Sequence, residues 1–196
     1  MEEAHFLAKV LLIGNSGVGK SSLVERYTQN KFSLNISPTL VLNIVYNTVF
    51  FNDKSVKFQL WDTSGNDRYF YLTRIFSKGS SIILLIFDIT NEKSFSRLNN
   101  WLSQNLNSFV ISPLLVLVGT KKDLNFTRKV SSNKISKFCN KYHCSYFELS
   151  SLENDGISEL FKYLANEVVN CRIPYAELEN TYIPSSKPSR RCCGWL

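Results

Sequence analysis

The sequence predicts an α/β fold, in which a six-stranded and mostly parallel sheet with one antiparallel hairpin strand is flanked by about five helices. Three observations predict it. Nearly continuous apolar runs, at residues 6–13, 82–87 and 114–118, are typical of parallel strands buried on both faces. Segments in which apolar residues recur at helical spacing separate these runs. A glycine-rich stretch at residues 14–21 joins the first run to the first helical segment.

The other predicted elements follow the same alternation along the chain. Strands are also predicted at residues 40–51, 56–61 and 146–149, and the turn at residues 52–54 is typical of an antiparallel hairpin. Helical spacing occurs at residues 22–29, 95–106, 135–139 and 157–168. Alternating strands and helices favour a mostly parallel sheet, and ligands of such sheets bind beyond the carboxyl ends of the strands.

The length of 196 residues suits one domain with a tail. We expect the domain to occupy residues 1–172. Residues 173–196 are rich in proline and serine, which is typical of a flexible tail. The 44% apolar content is enough for a sizeable core, and no apolar run is long enough to span a bilayer.

Composition and charge exclude several classes of protein. The net charge is +7, but no dense basic face with interleaved aromatic residues indicates nucleic-acid binding. The first residues lack the basic region of a signal peptide, and Glu2 excludes myristoylation. We therefore expect the five cysteines to be reduced thiols. Cys139, His143 and Cys144 lack the second ligand pair that a zinc site requires, and thiols of the core or surface are the favoured interpretation.

Residues 14–21 fit the pattern of a phosphate-binding loop, G-x-x-x-x-G-K-[ST]. Its three glycines, Gly14, Gly17 and Gly19, allow successive N–H groups to converge on one anion, and the following helix adds its positive dipole end. Lys20 supplies a positive charge to the outer phosphates, and the Ser21 hydroxyl can bind Mg²⁺. A chance glycine-rich turn is the alternative, but the strand before the loop and the helix after it favour phosphate binding.

The third predicted strand ends in a second polar motif. Asp62 lies at its tip, where a protein with a phosphate-binding loop holds Mg²⁺, and the alternative is a carboxylate that only terminates the strand. Gly65 would let its backbone N–H approach a γ-phosphate closely.

A third motif, at residues 118–124, follows the strand at 114–118 and favours guanine. Asp123 can accept two hydrogen bonds from the N1–H and N2–H₂ edge of guanine, whereas adenine has no matching pair of donors. The aliphatic stem of Lys121 can cover one face of the base, and Phe32 can cover the other edge of the ring. A polar loop that carries these residues by coincidence is the alternative.

In the order and spacing of its three motifs, the chain resembles a Ras-superfamily small GTPase over residues 6–172. The motifs are G-N-S-G-V-G-K-S-S, W-D-T-S-G-N-D-R and G-T-K-K-D-L. The segments at residues 57–61 and 86–95 resemble the Rab branch in particular. The resemblance implies the P-loop GTPase fold, GTP/GDP and Mg²⁺ as ligands, and a metal site formed by Ser21, Thr39 and Asp62. It also implies that Thr39, after Pro38, is the threonine of the first switch.

This chain departs from the family's pattern at three positions. Asn66 replaces the glutamine that orients the attacking water, and its side chain is shorter by roughly 1.5 Å. A misplacement near 1 Å can reduce a rate about a hundredfold, so we expect weak intrinsic hydrolysis. Thr120 replaces the usual asparagine, as it does in Rho-type members, so guanine binding is expected to survive. Leu152 replaces the lysine of Ser-Ala-Lys, while Ser151 can still offer its N–H to the guanine oxygen.

The candidate site residues have two roles. The candidate catalytic residues are Lys20, Thr39 and Asn66. The candidate nucleotide-binding residues are Gly14, Ser16, Gly17, Val18, Gly19, Lys20, Ser21, Ser22, Phe32, Thr39, Gly65, Thr120, Lys121, Asp123, Leu124, Ser150, Ser151 and Leu152.

The end of the chain predicts lipid attachment. Cys193-Gly-Trp-Leu has the C-a-a-X form, whose final leucine favours geranylgeranylation, and Cys192 can carry a second lipid. Basic residues nearby would add attraction to an anionic leaflet. A loose basic tail with two incidental cysteines is the alternative.

The expected function is a Rab-like GTP/GDP switch in vesicle trafficking, monomeric, on the cytoplasmic face of internal membranes and cycling with the cytosol. Its expected partners are an exchange factor, a GTPase-activating protein, effectors, a prenyl transferase and an escort that masks the lipid. One alternative is a GTP-binding scaffold that hydrolyses GTP very slowly or not at all and is regulated by exchange. A more distant alternative is an ATP-dependent P-loop kinase, against which Asp123 argues.

Overall fold

A computed structural model describes residues 6–35, 37–69, 71–106, 109, 112–170 and 176–177. Its strands are β1 Phe6–Ile13, β2 Leu42–Phe51, β3 Lys54–Thr63, β4 Ile82–Asp88, β5 Leu114–Thr120, β6 Ser145–Glu148 and β7 Ala176–Glu177. Its α-helices are α1 Lys20–Gln29, α2 Leu72–Phe76, α3 Glu92–Asn105, α4 Ser132–Tyr142 and α5 Ile157–Val169. Two 3₁₀ segments lie at Asp67–Tyr69 and Lys122–Thr127.

The main sheet has the strand order β2-β3-β1-β4-β5-β6. All neighbouring pairs in this path are parallel except β2 and β3, which form an antiparallel hairpin. The predicted six-stranded, mostly parallel sheet with helices around it is therefore confirmed. A two-residue strand, β7, also pairs antiparallel with the beginning of β1 and lies within the range expected to be the tail.

Two layers of helices cover the two faces of the sheet. Alternate residues of β1 point to opposite faces, so Val10 and Leu12 pack in the cluster that contains α1 and α5 residues. Leu11 and Ile13 pack in the cluster that contains α3 and α4 residues. Burial of each such side chain contributes roughly 1.5–3 kcal/mol, so the covered strands form a rigid support for the loops at their carboxyl ends.

Local sequence determines where several elements begin. The β2–β3 hairpin turns at Asn52 and Asp53, both of which have positive φ, the conformation that a two-residue primed turn requires. The side chain of Asn91 accepts a hydrogen bond from the Lys93 N–H and caps α3. Ser131 caps α4 in the same way.

The sequence did not predict α2, because a five-residue helix contains too few turns to show helical spacing. It did not predict β7 or the 3₁₀ segments either. Predicted elements differ at their ends: β3 is longer at both ends than the predicted run at residues 56–61, and α1 begins at Lys20, inside the phosphate-binding motif.

Candidate nucleotide-binding site

The glycine-rich loop connects the carboxyl end of β1 to the first residue of α1. Gly17 and Gly19 have φ values of 76° and 98°, which favour glycine, and Gly19 is the N-cap of α1. A Cβ atom on Gly14 would lie 2.3 Å from the Ile86 carbonyl oxygen, so only glycine fits there. Val18 is buried within the loop, and Ser22 lies in the first turn of α1.

The Lys20 side chain turns back across this loop and is only 5% exposed. Its Nζ donates hydrogen bonds to the carbonyl oxygens of Gly14 and Asn15, at 2.9 and 3.0 Å. Burial lowers the pKa of Lys20 from 10.5 to about 8, although the Asp62 carboxylate opposes that shift. A partly desolvated cation held inside a glycine loop is suited to an anionic ligand.

Three side-chain oxygens from distant segments meet beside Lys20. The Ser21 hydroxyl donates to Asp62 Oδ2 at 2.6 Å, and the Thr39 hydroxyl lies 3.1 Å from the same oxygen. The two hydroxyl oxygens are 3.0 Å apart. Ser21 is the second residue of α1, Thr39 lies in the loop before β2, and Asp62 lies near the end of β3, so the fold brings the three predicted metal ligands together.

The chemistry of this cluster fits Mg²⁺. Asp62 is 2% exposed, and its Oδ1 is buried without a hydrogen-bond partner among the described residues. Burial raises the pKa of Asp62 above 3.8, which outweighs the opposing effect of the Ser21 hydrogen bond. Hard oxygen ligands are those that Mg²⁺ prefers, and it needs few from the protein because it retains waters and phosphate oxygens.

Gly65 lies against the phosphate-binding loop. The Ser16 N–H donates to the Gly65 carbonyl oxygen at 3.1 Å. A Cβ atom on Gly65 would lie 2.1 Å from the Ser16 nitrogen, closer than real Cβ atoms approach. Contact of the residue 65 N–H with a γ-phosphate stays a prediction, but the close backbone approach that it requires is present.

Asn66 is exposed and its side chain makes a local hydrogen bond. Its Oδ1 accepts from the Arg68 N–H at 3.0 Å, as in a turn closed by an asparagine side chain. This hydrogen bond, in the first turn of the 3₁₀ segment Asp67–Tyr69, engages one of the two lone pairs of the Asn66 oxygen, and the role of Asn66 in positioning water stays a prediction.

The residues predicted to read the base lie on two adjoining loops, after β5 and after β6. The Ser150 hydroxyl donates to Asp123 Oδ1 at 2.5 Å, which joins the loops. Lys121 Nζ forms a 2.7 Å ion pair with buried Asp88. This ion pair fixes the direction of the aliphatic stem of Lys121, which is predicted to cover one face of the base. Leu124 is 37% exposed beside them.

Thr120 connects the base loop to the phosphate loop. Its hydroxyl donates to the Val18 carbonyl oxygen at 2.6 Å, and the Phe87 carbonyl oxygen is a second acceptor at 2.9 Å. Thr120, which stands where the family usually has asparagine, is 2% exposed. It therefore has a structural role at the junction of three strand ends.

The loop after β6 is fixed by its own hydrogen bonds and by α1. Ser150 and Asp155 exchange backbone hydrogen bonds of 3.0 Å. The following residues are Ser151, which is buried, and Leu152, whose side chain is 51% exposed. Phe32 lies in the loop after α1 and is half-buried, with the Arg26 guanidinium 5.8 Å from its ring centroid.

Sequence reasoning missed two residues of this region. Asp88, the ion-pair partner of Lys121, ends β4, and its buried position after an apolar run was a usable signal. Arg26 reaches the loop after β6 from the second turn of α1. No motif marked it, because its partners are more than a hundred residues away in the sequence.

Other features of the described surface are separate from this oxygen cluster. An open cavity of about 900 Å³ lies along the first half of α3, whereas a cavity of about 390 Å³ adjoins Ser21, Thr39 and Asp62. Of these two cavities, the smaller one adjoins the predicted metal ligands. Cys192 and Cys193 lie outside the described residues. No helix in the described ranges is long and apolar enough to cross a membrane.

Comparison with known proteins gives one consistent result. The model of the Ras family matches residues 9–170. Ras-related protein Rab-30 of Homo sapiens is 36% identical over 183 residues, which cover 93% of this chain and 88% of the relative. Ras-related protein RabC of Dictyostelium discoideum is 34% identical over 169 residues, covering 85% and 86%. Ras-related protein rab-11.1 of Caenorhabditis elegans is 31% identical over 204 residues, covering 98% and 97%.

Proposed function

The chain belongs to the Ras family, among its Rab-like small GTPases, and we propose that it is a switch that binds GTP and GDP and hydrolyses GTP slowly. The names of its relatives are those of Rab proteins. Its role in this proposal is vesicle trafficking on internal membranes, as the resemblance to the Rab branch implies. The expected monomer, its cycling between membrane and cytosol, and its regulation by an exchange factor and a GTPase-activating protein are part of this proposal.

One observation carries the proposal: the convergence of Ser21, Thr39 and Asp62 beside the buried ammonium group of Lys20. These groups come from the start of α1, the loop before β2 and the end of β3, at the carboxyl edge of the sheet, where α/β proteins bind ligands. Together they offer a positive charge for phosphate oxygens and hard oxygen ligands for a divalent cation.

The chain's own groups have distinct tasks in hydrolysis. Lys20 and the amides of the glycine loop bind the phosphates and stabilise the negative charge that develops in the transition state. Ser21, Thr39 and Asp62 would hold Mg²⁺, which supplies further neutralisation of that charge. The Thr39 side chain contacts Ser21 and Asp62 through its hydroxyl, and loss of the γ-phosphate would release its loop.

Asp123 provides the selectivity for guanine. The Ser150 hydroxyl holds one oxygen of its carboxylate, which fixes the carboxylate for the paired donors of the base. A nucleotide with adenine would leave this carboxylate without the paired donors of the base, and an incompletely paired charged group is costly. The structure therefore favours guanine nucleotides over the ATP of a P-loop kinase.

The test is to identify the nucleotide in the purified protein, measure affinities for GDP and ADP, and follow bound GTP with Mg²⁺ over time. We expect bound guanine nucleotide, a strong preference for GDP over ADP, and slow conversion of GTP to GDP. Asp123→Asn should lose at least about a hundredfold in GDP affinity, whereas Asp53→Asn, in the exposed hairpin turn, should not. Absence of guanine-nucleotide binding in the wild-type protein would overturn the proposal.

A second candidate function is a GTP-bound scaffold that hydrolyses nothing and is regulated by exchange alone. The observation that favours it is the hydrogen bond between Asn66 Oδ1 and the Arg68 N–H, which engages the expected water-positioning group. Single-turnover hydrolysis separates the two functions: GTP that persists over many hours supports the scaffold, and measurable conversion supports the slow GTPase.

Attachment to membranes through Cys192 and Cys193 stays a prediction from the sequence. Intact mass after incubation with a geranylgeranyl donor and the prenyl transferases tests it. One or two added prenyl groups that disappear in the double serine variant would support it, and an unchanged mass would contradict it.

A further inference from the structure

Arg26 connects α1 to the loop that follows β6, next to the base-reading carboxylate. Its Nε donates to the Ser151 carbonyl oxygen at 2.8 Å, and its Nη2 lies 3.3 Å from the Leu152 carbonyl oxygen. The same guanidinium donates from Nη1 to the Asn30 carbonyl oxygen at 3.0 Å. The planar fork of an arginine can make these contacts together, which a lysine ammonium cannot reproduce.

The contacts fix one residue of the loop, Ser151, from both sides. On its N-terminal side, Ser150 is held by backbone hydrogen bonds with Asp155 and by its hydroxyl on Asp123. On its C-terminal side, the Ser151 carbonyl oxygen is held by Arg26. The Ser151 N–H shares a planar peptide with the Ser150 carbonyl group, which the Asp155 N–H holds, and Arg26 holds the next peptide through the Ser151 carbonyl oxygen. Anchors on two successive peptides therefore restrict the direction of the Ser151 N–H.

The direction of the Ser151 N–H matters for the hydrogen-bonding groups of guanine. In guanine the O6 acceptor is next to the N1–H donor, so a protein that binds the N1–H and N2–H₂ edge with a carboxylate needs a donor beside that carboxylate to meet O6. Ser151 is one residue from the serine that is bonded to Asp123. No acceptor for the Ser151 N–H is found in the part of the chain that the structure describes.

We propose that Arg26 is a positioning residue for guanine specificity: by holding the Ser151 and Leu152 carbonyl groups, it aims the Ser151 N–H at the O6 of the base. The proximity of its guanidinium to Phe32 ties the loop that covers the ring edge to the same anchor. Arg26 itself does not touch the nucleotide in this arrangement. This inference rests on the proposed binding of guanine nucleotides.

The test compares release of GDP and 6-thio-GDP from the Mg²⁺-loaded protein in wild type, Arg26→Gln and Arg26→Lys. The thio analogue keeps the donors that face Asp123 but replaces O6 by sulfur, a weaker acceptor. Arg26→Gln should release GDP about tenfold faster than wild type, because it loses charge-assisted hydrogen bonds to the loop after β6. The same substitution should accelerate release of 6-thio-GDP by less than about threefold, because the hydrogen bond from the Ser151 N–H to sulfur is already weak in the wild-type protein. Arg26→Lys should lie between Arg26→Gln and wild type. Lys162→Ala, which removes an exposed cation from α5, is the control and should match wild type.

Comparison of the two nucleotides within one variant separates positioning from general loss of stability. A variant that releases GDP and 6-thio-GDP faster by the same factor would overturn the inference, and so would a variant with unchanged GDP release. Wild-type protein that binds no guanine nucleotide would instead overturn the proposed function on which the inference rests. A GDP-specific acceleration, with the control unchanged, would support it.

Discussion

The hydroxyl of Thr120 donates a 2.6 Å hydrogen bond to the carbonyl oxygen of Val18, although 102 positions separate the two residues. This contact joins the end of β5, where the base loop begins, to the middle of the glycine-rich loop. Because both groups are buried, the hydrogen bond is protected from competition with water. The geometry of one loop thus depends on the position of the other.

Thr120→Val should weaken this junction at nearly constant volume. The Val18 carbonyl oxygen would lose its buried donor, and the expected cost is about 1–2 kcal/mol of stability together with faster GDP release. Chemical denaturation and release of labelled GDP measure the two effects. Thr120→Ser, which keeps the hydroxyl, is the matched control, and equal behaviour of the valine and serine variants would contradict this reading of the contact.

Asn66→Gln should increase intrinsic GTP hydrolysis. The longer side chain fits the local turn with the Arg68 N–H less well, so its carboxamide becomes free to reach the attacking water. An increase of roughly tenfold to a hundredfold is expected in single-turnover assays. Asn66→Ala serves as the control and should remain slow; a glutamine variant as slow as the alanine variant would show that another group limits the reaction.

Lys9→Met should loosen the end of α2. Lys9 Nζ donates to the carbonyl oxygens of Phe76 and Lys78, at 2.7 and 3.0 Å, and lies 3.8 Å from the centroid of the Trp61 ring. Methionine keeps much of the stem but removes these donors, so a loss of about 1–2 kcal/mol is expected.

Denaturation and limited proteolysis after residue 71 measure the effect of Lys9→Met. Lys57→Met is the comparison, because Lys57 lies 5.0 Å from the Tyr46 ring on the exposed side of the hairpin. Its change in stability should stay within about 0.5 kcal/mol. Similar losses in both variants would argue against a specific role for Lys9.

Glu148 should make stability depend on pH in the acidic range. Burial alone would raise the pKa of Glu148, but hydrogen bonds from Arg128 and Tyr146 outweigh burial and hold that pKa below 4.5. The unfolded chain therefore binds the proton more readily, so this stabilisation is complete above pH 4.5 and is lost as the pH falls through the folded-state pKa.

Thermal unfolding of wild type and Glu148→Gln, from about pH 7 down to about pH 3, tests this dependence. The wild-type advantage should be greatest near neutral pH and should shrink below pH 4.5. Glu159→Gln, at an exposed position of α5, controls for general loss of negative charge. A constant difference between wild type and Glu148→Gln at every pH would exclude the proposed linkage.

The sequence predicted the parts of the fold whose signals are local. The seven residues of β4 are all buried, and their continuous apolar run up to Asp88 marked a central strand. The glycines of residues 14–21 marked the phosphate loop because their backbone geometry is encoded within a few positions. By contrast, α2 is too short to show helical spacing in the sequence. Its position depends on tertiary contacts, since buried Thr73 accepts a hydrogen bond from the indole N–H of Trp101 on α3.

The sequence by itself determined the order of strands and helices and the three motifs that mark a family of nucleotide-binding proteins, because periodicity, turn residues and motif spacing are properties of neighbouring positions. Only the tertiary structure decided that Ser21 and Asp62 share a hydrogen bond and that Arg26 reaches Ser151. These pairs are 41 and 125 positions apart. Contacts over such separations exist because two helical layers pack on one sheet and bring the ends of its strands together, which no local pattern records.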